Sequence, residues 1–160
     1  MKLSIERDEL LRALGRVQAI VERRGTMPIL ANALIEARED GLTLAATDLE
    51  VAVIANHPAA VKTPGTVTRG AKKLFEIVRE LEGPEVVLGT EDGARVTLTC
   101  GPAKFSLLST SPEEYPSIPS ADGVAFAQVD TALLGELIDH TLYATSSDET
   151  RYNLNGVFVE

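Results

Sequence analysis

The stretch LSIERDELLRALG, residues 3–15, joins two patterns that indicate how the chain begins to fold. Its first residues alternate between apolar and polar side chains, which is typical of a half-buried strand. Leu10 and Leu14 then recur at the spacing of one helix face, and this spacing continues to Val21. The stretch therefore predicts a short strand followed by an amphipathic helix near residues 8–21.

A second copy of this pattern lies about 124 residues further along the chain. The stretch FAQVDTALLGELI, residues 126–138, again has a short alternating strand pattern, an acid, and apolar residues at helical spacing. The terminal LNGVFVE, residues 154–160, which ends in strand-forming residues, lies over LANALIE, residues 30–36, at nearly the same offset. Repetition at a fixed distance indicates repeated structural units. We expect one full unit and the first quarter of a second.

A weaker echo occurs inside the first unit, in AKKLFEIVREL, residues 71–81. Its apolar residues also have helical spacing, which predicts a second helix near 71–81. The residues that align are Leu74, Phe75 and Val78 with Leu10, Leu11 and Leu14. Each full unit is therefore expected to contain two strand-helix-strand halves.

Strand and turn patterns fill most of the remaining chain. GLTLAATDLEVAVIAN, residues 41–56, mostly alternates, and residues 85–109 contain strand patterns joined by EDG and GP turns. The Pro- and Ser-rich SPEEYPSIPSADG, residues 111–123, has no periodicity and predicts a domain boundary. Three helical patterns separated by several strands each indicate an α+β fold with antiparallel sheets. We expect a complete domain over residues 1–120 and a truncated one over 121–160.

The charge of the chain is unevenly distributed. The net charge is −9, yet residues 1–24 carry six basic and four acidic side chains, and residues 69–79 carry four basic and one acidic. The cations predicted to lie opposite the apolar stripes are Arg12, Arg16 and Arg23 on the first helix and Lys72 and Arg79 on the second. Such faces are either ordinary solvated surfaces or one surface that attracts a polyanion.

Residues that could support catalysis are few and poorly placed for it. His57 precedes Pro58 in a predicted loop, His140 lies on the third helical pattern, and Cys100 is the single cysteine. Asp48 and Glu50 could hold a hard cation or cap a turn. No metal, cofactor or catalytic site is therefore expected. No secretory signal or membrane span is visible in the sequence, so we expect a cytoplasmic protein without membrane contact.

Six stretches together resemble one protein family, the bacterial DNA polymerase III beta subunits, or sliding clamps. They are MKLSIERDELL, TMPILANALIEA, TDLE, AKKLFEIVREL, KFSLLSTSPEEYP and TRYNLNGVFVE; they occur in order, and the resemblance extends over essentially the whole chain. The resemblance implies the DNA-clamp fold, with two pseudo-symmetric halves per domain, antiparallel sheets outside and two helices on the inner face. Three such domains form a crescent in this family, and two crescents close head to tail around double-stranded DNA.

The resemblance also implies a function without catalysis. A clamp is a processivity factor that tethers the DNA polymerase III alpha subunit, the clamp loader and other clamp-binding proteins, and it is a homodimer at full length. The remaining alternative is a stand-alone, short clamp-like binding module that does not close a ring. Without a third domain, this chain is expected to be monomeric or weakly associated.

Further DNA contacts follow from the resemblance and not from the spacing. They are Arg24 and the adjacent Arg23 in the RRGTMPIL loop, and Asp148, Tyr152 and Asn153 near the carboxyl end. The acid at 148 and the acids Glu136 and Asp139 on the third helix predict that the second domain adds little DNA affinity. Tyr152 is expected either to stack on DNA or to pack inside the protein.

Two protein-binding surfaces are implied in the same way. Arg151 and Leu154 match one wall of the pocket that binds partner peptides. The KFSLLS strand matches the edge that closes the dimer; its residues are the apolar anchors Phe105 and Leu107 and the charged flanks Lys73 and Lys104. Burial statistics alone allow Phe105 and Leu107 to be core residues instead.

Overall fold

The computed structural model describes residues 1–21, 27–91, 95–118 and 123–159. The chain divides into two compact units, Met1–Ser120 and Ala121–Glu160. The helices within the described ranges are α1 (Arg7–Val17), α2 (Ala71–Arg79) and α3 (Thr131–Thr141). The strands there are β1 (Lys2–Glu6), β2 (Asn32–Arg38), β3 (Gly41–Thr47), β4 (Ala52–His57), β5 (Ala60–Thr63), β6 (Gly65–Gly70), β7 (Glu85–Glu91), β8 (Arg95–Cys100) and β9 (Ala103–Leu108).

The nine strands of the described ranges all belong to two antiparallel sheets in the first unit. One sheet has the order β5-β1-β7-β8-β9 and the other has the order β4-β3-β2-β6. Alternating apolar residues place one face of each sheet on the core, as antiparallel sheets commonly do. The predicted α+β class with antiparallel sheets is confirmed.

The first unit consists of two halves that exchange their first strands. β1 precedes α1 but pairs with β7 of the other half, while β6 precedes α2 and pairs with β2. The registers correspond: Glu6, just before α1, pairs with Glu85, and Gly70, just before α2, pairs with Asn32. The predicted pair of pseudo-symmetric halves is confirmed, and each half completes the sheet of the other.

Equivalent positions of α1 and α2 occupy one core. Leu10 and Leu14 of α1 and their counterparts Leu74 and Val78 of α2 are fully buried. They belong to a single apolar cluster that includes inward-facing residues of both sheets. Burying a side chain of this size stabilises the fold by about 1.5–3 kcal/mol. The weak echo in the sequence therefore marks the two helices that cover the same core.

The two helices also contact each other directly. Arg7 begins α1, and its guanidinium donates to the carbonyl oxygens of Val78 (3.3 Å) and Arg79 (2.6 Å) at the end of α2. Carbonyls in the last turn of a helix lack the N–H group four residues ahead as a regular partner, so the arginine supplies an additional donor. A β-carbon on Gly15 would lie 3.6 Å from the Phe75 ring, which shows how closely the helices approach. The predicted side-by-side packing is confirmed.

Both helices end earlier than their apolar spacing predicts. α1 ends at Val17, after which Ile20 N–H bonds to the Val17 carbonyl at 3.2 Å. α2 ends at Arg79, and Leu81 N–H bonds to the Val78 carbonyl at 3.3 Å. These bonds span three residues instead of four, which tightens the last turn and ends the helix. The apolar spacing continues because Val21 and Leu81 are still buried.

The described part of the second unit contains one α-helix and short 3₁₀ segments. The Asp130 carboxylate caps α3 by accepting from the N–H groups of Ala132 and Leu133, both at 2.9 Å. The strand predicted at the start of this repeat, residues 126–129, and the one at residues 157–159 are wrong, since neither segment is a strand. Their counterparts β1 and β2 are each paired with two strands, whereas the described part of this unit has no other strand to pair with.

Candidate nucleic-acid interface

The four described cations of the predicted DNA-binding face lie on the exposed sides of α1 and α2. Arg12 and Arg16 are opposite the buried side of α1, and Lys72 and Arg79 are opposite the buried side of α2. The helical spacing therefore predicts their orientation correctly. Arg23 and Arg24 lie outside the described residues.

Acidic side chains share these helix faces, a feature that the sequence analysis missed. The ion pairs are Arg7–Asp8 (2.8 Å), Arg12–Glu9 (2.5 Å), Lys73–Glu76 (3.8 Å) and Arg79–Glu80 (3.0 Å). Two of them have the i,i+3 spacing at which helical side chains meet, so the signal was present in the sequence. Arg16 and Lys72 form no ion pair with any residue in the described ranges. The exposed sides of the two helices therefore carry both cations that are paired with a carboxylate and cations that are not.

Glu9 links α1 to strand β4. Its Oε2 atom accepts from the Arg12 guanidinium, and its Oε1 atom lies 2.6 Å from Nδ1 of His57. The hydrogen bond from His57, followed by the positive charge of Arg12, lowers the pKa of Glu9. His57 is buried and ends β4, so its predicted position in a loop is wrong: backbone pairing with Leu42 of β3 extends the strand to residue 57.

Asp148, one of the residues assigned to DNA near the carboxyl end, stabilises a local turn. The Asp148 carboxylate accepts from the Thr150 hydroxyl (2.7 Å) and the Thr150 N–H (3.0 Å), and these bonds lower the pKa of Asp148. The Arg151 Nε lies 3.6 Å from the same carboxylate. The structure thus joins a predicted DNA contact to a predicted pocket residue. Asn153 and Leu154 are exposed, and the side chain of Tyr152 lies outside the described part of the structure.

Strand β9 carries the residues of the predicted dimer edge. It is the outermost strand of its sheet, and its Phe105 and Leu107 lie opposite Leu98 and Val96 of β8. Leu107 packs against the core, whereas Phe105 is 37 % exposed. The core alternative therefore describes Leu107, while Phe105 is partly exposed, and a dimer role for either residue stays a prediction.

A groove runs beside this edge, between α2 and the turn that joins β8 to β9. Its volume is about 700 Å³, and its lining includes Lys73 and Ile77 of α2, Cys100, and Phe105. Lys104 is exposed on the same strand. Apolar and charged side chains thus line one concave surface next to unpaired strand backbone.

The acidic pair Asp48 and Glu50 forms a turn. The Asp48 carboxylate accepts from the N–H groups of Glu50 (3.0 Å) and Val51 (2.7 Å), and these bonds lower the pKa of Asp48. This is the turn alternative of the sequence analysis. Within the described ranges, no three His, Cys, Asp or Glu residues are grouped in a way that could hold a metal ion. None of the helices described is long and apolar enough to cross a membrane.

Comparisons with known proteins agree on one family. The family described as "DNA polymerase III beta subunit, N-terminal domain" matches residues 1–119. The beta sliding clamp of Caulobacter vibrioides is 44% identical over 162 residues, which covers 99% of this chain and 43% of that protein. That of Chlamydia muridarum is 33% identical, with coverages of 99% and 43%.

A solved structure gives the same result for the fold. The crystal structure of the DNA polymerase sliding clamp from Bacillus subtilis superposes with a TM-score of 0.91 at 29% identity, covering 95% of this chain and 42% of that one. The clamp fold implied by the resemblance is therefore confirmed. This chain spans less than half the length of the curated relatives it matches. The chain belongs to the DNA polymerase III beta subunit family.

Proposed function

We propose that this chain is the amino-terminal part of a DNA polymerase processivity factor, a non-catalytic protein that encircles duplex DNA as part of a ring dimer. One observation carries the proposal: two helices packed side by side expose Arg12, Arg16, Lys72 and Arg79, although the whole chain has a net charge of −9. An acidic protein repels DNA in general, and a local basic surface makes one face the exception.

The chemistry of this face suits sliding. Arginine and lysine have long, flexible stems, and contacts from such side chains to phosphates carry no direct sequence information. The contact energy is then similar at every position along the duplex, so the protein is held without being fixed in place. Because a closed ring keeps the protein on the DNA, the contacts from these side chains to the phosphates can remain weak.

We assign Met1–Ser120 to the first clamp domain and Ala121–Glu160 to the start of a second. The family match over residues 1–119 supports the first assignment. The sequence repeat supports the second, because Leu133 and Leu137 correspond to Leu10 and Leu14 at the same helical spacing.

We assign ring closure to strand β9 and the groove beside it. An edge strand presents unpaired N–H and C=O groups, which a strand of a second subunit can pair with. Phe105 and Leu107 would supply apolar contacts, with Lys73 and Lys104 as charged flanks. Residues 1–160 by themselves should be monomeric or weakly associated.

We assign Arg151 and Leu154 to one wall of a pocket for partner peptides. Leu154 is exposed and apolar, and the Asp148 carboxylate lies beside the Arg151 guanidinium. In the full-length protein, the DNA polymerase III alpha subunit, the clamp loader and other clamp-binding proteins would attach there. This role places the protein in the cytoplasm, where replication takes place in bacteria.

The test is the salt dependence of binding to a fluorescently labelled duplex, measured by anisotropy. Each neutralised phosphate contributes about 0.9 to the slope of log affinity against log salt. The double variant R16A/K72A should lower the slope by about 1.8, without a shift in melting temperature because both residues are exposed.

The matched control is K62A/R95A, which removes two exposed cations from strands. If this control lowers the slope as much as R16A/K72A does, the helix faces are ordinary solvated surfaces and the assignment of DNA contacts is wrong.

A further inference from the structure

Arg12 and Arg16 lie one turn apart on the exposed side of α1, but their surroundings differ. The Arg12 guanidinium is bound to the Glu9 carboxylate at 2.5 Å, and its Nε donates to the Asp8 carbonyl at 3.3 Å. Arg16 forms no ion pair with any residue that the structure describes. A phosphate can therefore reach Arg16 directly, whereas it must compete with a carboxylate at Arg12.

Glu9 is held in place more firmly than an ordinary surface acid. Its side chain is 18 % exposed, whereas the neighbouring Asp8 side chain is 79 % exposed. One carboxylate oxygen faces His57 of the sheet and the other faces Arg12 of the helix. The carboxylate thus has a fixed direction, and one oxygen lies where a phosphate oxygen would bind Arg12.

His57 fixes the position of one oxygen of the Glu9 carboxylate, at 2.6 Å from its Nδ1. An ionised carboxylate only accepts hydrogen bonds, so the proton of the contact between them belongs to Nδ1 of His57. The Nε2 atom is buried and has no hydrogen-bond partner in the structure. His57 thus holds one oxygen of the Glu9 carboxylate, and the other oxygen is left to Arg12.

We propose that Glu9, positioned by the buried His57, is an internal competitor for DNA phosphate at Arg12. The proposal rests on the proposed DNA-binding function of the helix faces. Binding at Arg12 exchanges a carboxylate for a phosphate, so it adds little affinity, whereas binding at Arg16 adds a full contact. Glu9 therefore lowers the affinity of α1 for DNA at Arg12, and weak contacts of this kind suit a protein that must slide.

The experiment compares R12A and R16A in the 160-residue chain by anisotropy with a labelled duplex across a salt series. R16A should lower the slope by about 0.9, and R12A should lower it by less than half as much. In the E9Q background, affinity should rise and R12A should become as damaging as R16A. The matched control is D8N, which removes the same charge from the adjacent residue and should leave the difference between R12A and R16A unchanged.

Two His57 variants separate positioning from stability. Asparagine places an N–H near the position of Nδ1, so H57N should retain the difference between R12A and R16A, whereas H57L should abolish it. If E9Q or H57L does not fold, R12A and R16A still decide the matter, since both residues are exposed. Equal slopes for R12A and R16A, with wild-type binding intact, overturn this inference alone. If wild-type binding is absent or independent of salt, the proposed function and the inference are both wrong.

Discussion

Helices α1 and α3 have matching apolar patterns and opposite degrees of burial. Leu10 and Leu14 of α1 are fully buried, whereas their counterparts Leu133 and Leu137 of α3 are 53% and 55% exposed. In the first unit two sheets cover the apolar side of the helix, and the described part of the second unit contains no strand that could do so. The spacing of apolar residues therefore determines which side of a helix can be buried, and distant strands determine whether it is.

The largest expected difference between the units comes from truncating a matched leucine. L14A removes a fully buried side chain and leaves a cavity, so it should lower the free energy of unfolding by about 3–4 kcal/mol. L137A removes an exposed side chain and should change it by less than about 0.5 kcal/mol. Urea unfolding of both variants measures this, and similar losses would show that α3 is packed in solution.

Replacing one glycine in each unit by alanine gives a second comparison, in which the two expected changes in stability have opposite signs. Gly41 has a φ of +147°, and a β-carbon there would lie 2.6 Å from the carbonyl oxygen of His57. G41A should therefore cost about 2–3 kcal/mol. Gly135 is in α3, where an added β-carbon would meet no described atom within 4 Å beyond the backbone of its own helix, so G135A should stabilise the helix by about 0.5–1 kcal/mol. Thermal unfolding followed by circular dichroism at 222 nm distinguishes the two signs; a neutral G41A would contradict the strained position.

A tyrosine in each unit gives a smaller difference. The hydroxyl of Tyr115 donates to the Asn32 carbonyl (3.1 Å) and accepts from the Thr47 N–H (3.3 Å), and it thereby ties the segment after β9 to a sheet. Y115F should lower the free energy of unfolding by about 1–2 kcal/mol, because both partners lose a hydrogen bond. Y143F, at a tyrosine that is 87% exposed, is the control and should have no effect. Equal urea midpoints for the two variants would show that the Tyr115 bonds add nothing.

The smallest expected effect is a change in how stability declines at acidic pH. Asp48 and Asp148 both have a pKa below the ordinary 3.8, because turn hydrogen bonds favour the ionised carboxylate. Each contribution to stability is therefore complete above pH 3.8 and is lost as pH falls through the lower folded-state pKa. D48N should flatten the decline of the unfolding midpoint of the first unit below about pH 4, and D148N should leave that decline unchanged. A D148N effect as large as that of D48N would show that the two turns are coupled.

Local pattern was sufficient to predict part of this molecule. The positions of Leu74 and Val78 predicted that α2 is equivalent to α1, because both helices bury their apolar residues at matching positions. The alternation of apolar and polar residues predicted the strands that follow α2. The strand exchange could not be predicted in this way, since Glu6 and Glu85 are far apart in sequence and neither has a distinctive neighbourhood. The contact of Glu9 with His57 spans 48 residues and was missed for the same reason.

The cations of the candidate site show the same limit. Helical spacing predicts that Arg12 and Arg16 are exposed, and this is what the structure shows. Spacing also contained the Glu9–Arg12 pair, but it could not show that Glu9 is held by a buried ring from another strand. The difference between the two arginines is therefore a property of the tertiary structure.

The exchange of β1 and β6 between the halves has a consequence for synthesis on the ribosome. β1 is made first, and its partners β5 and β7 begin about 60 and about 80 residues later; at 5–20 residues per second, β7 follows after roughly 4–16 s. Throughout this interval the apolar side of α1 has only part of its cover. The strand at the amino terminus thus gains its second partner only after the second half has emerged, and until then the nascent chain is open to chaperones and to mispairing.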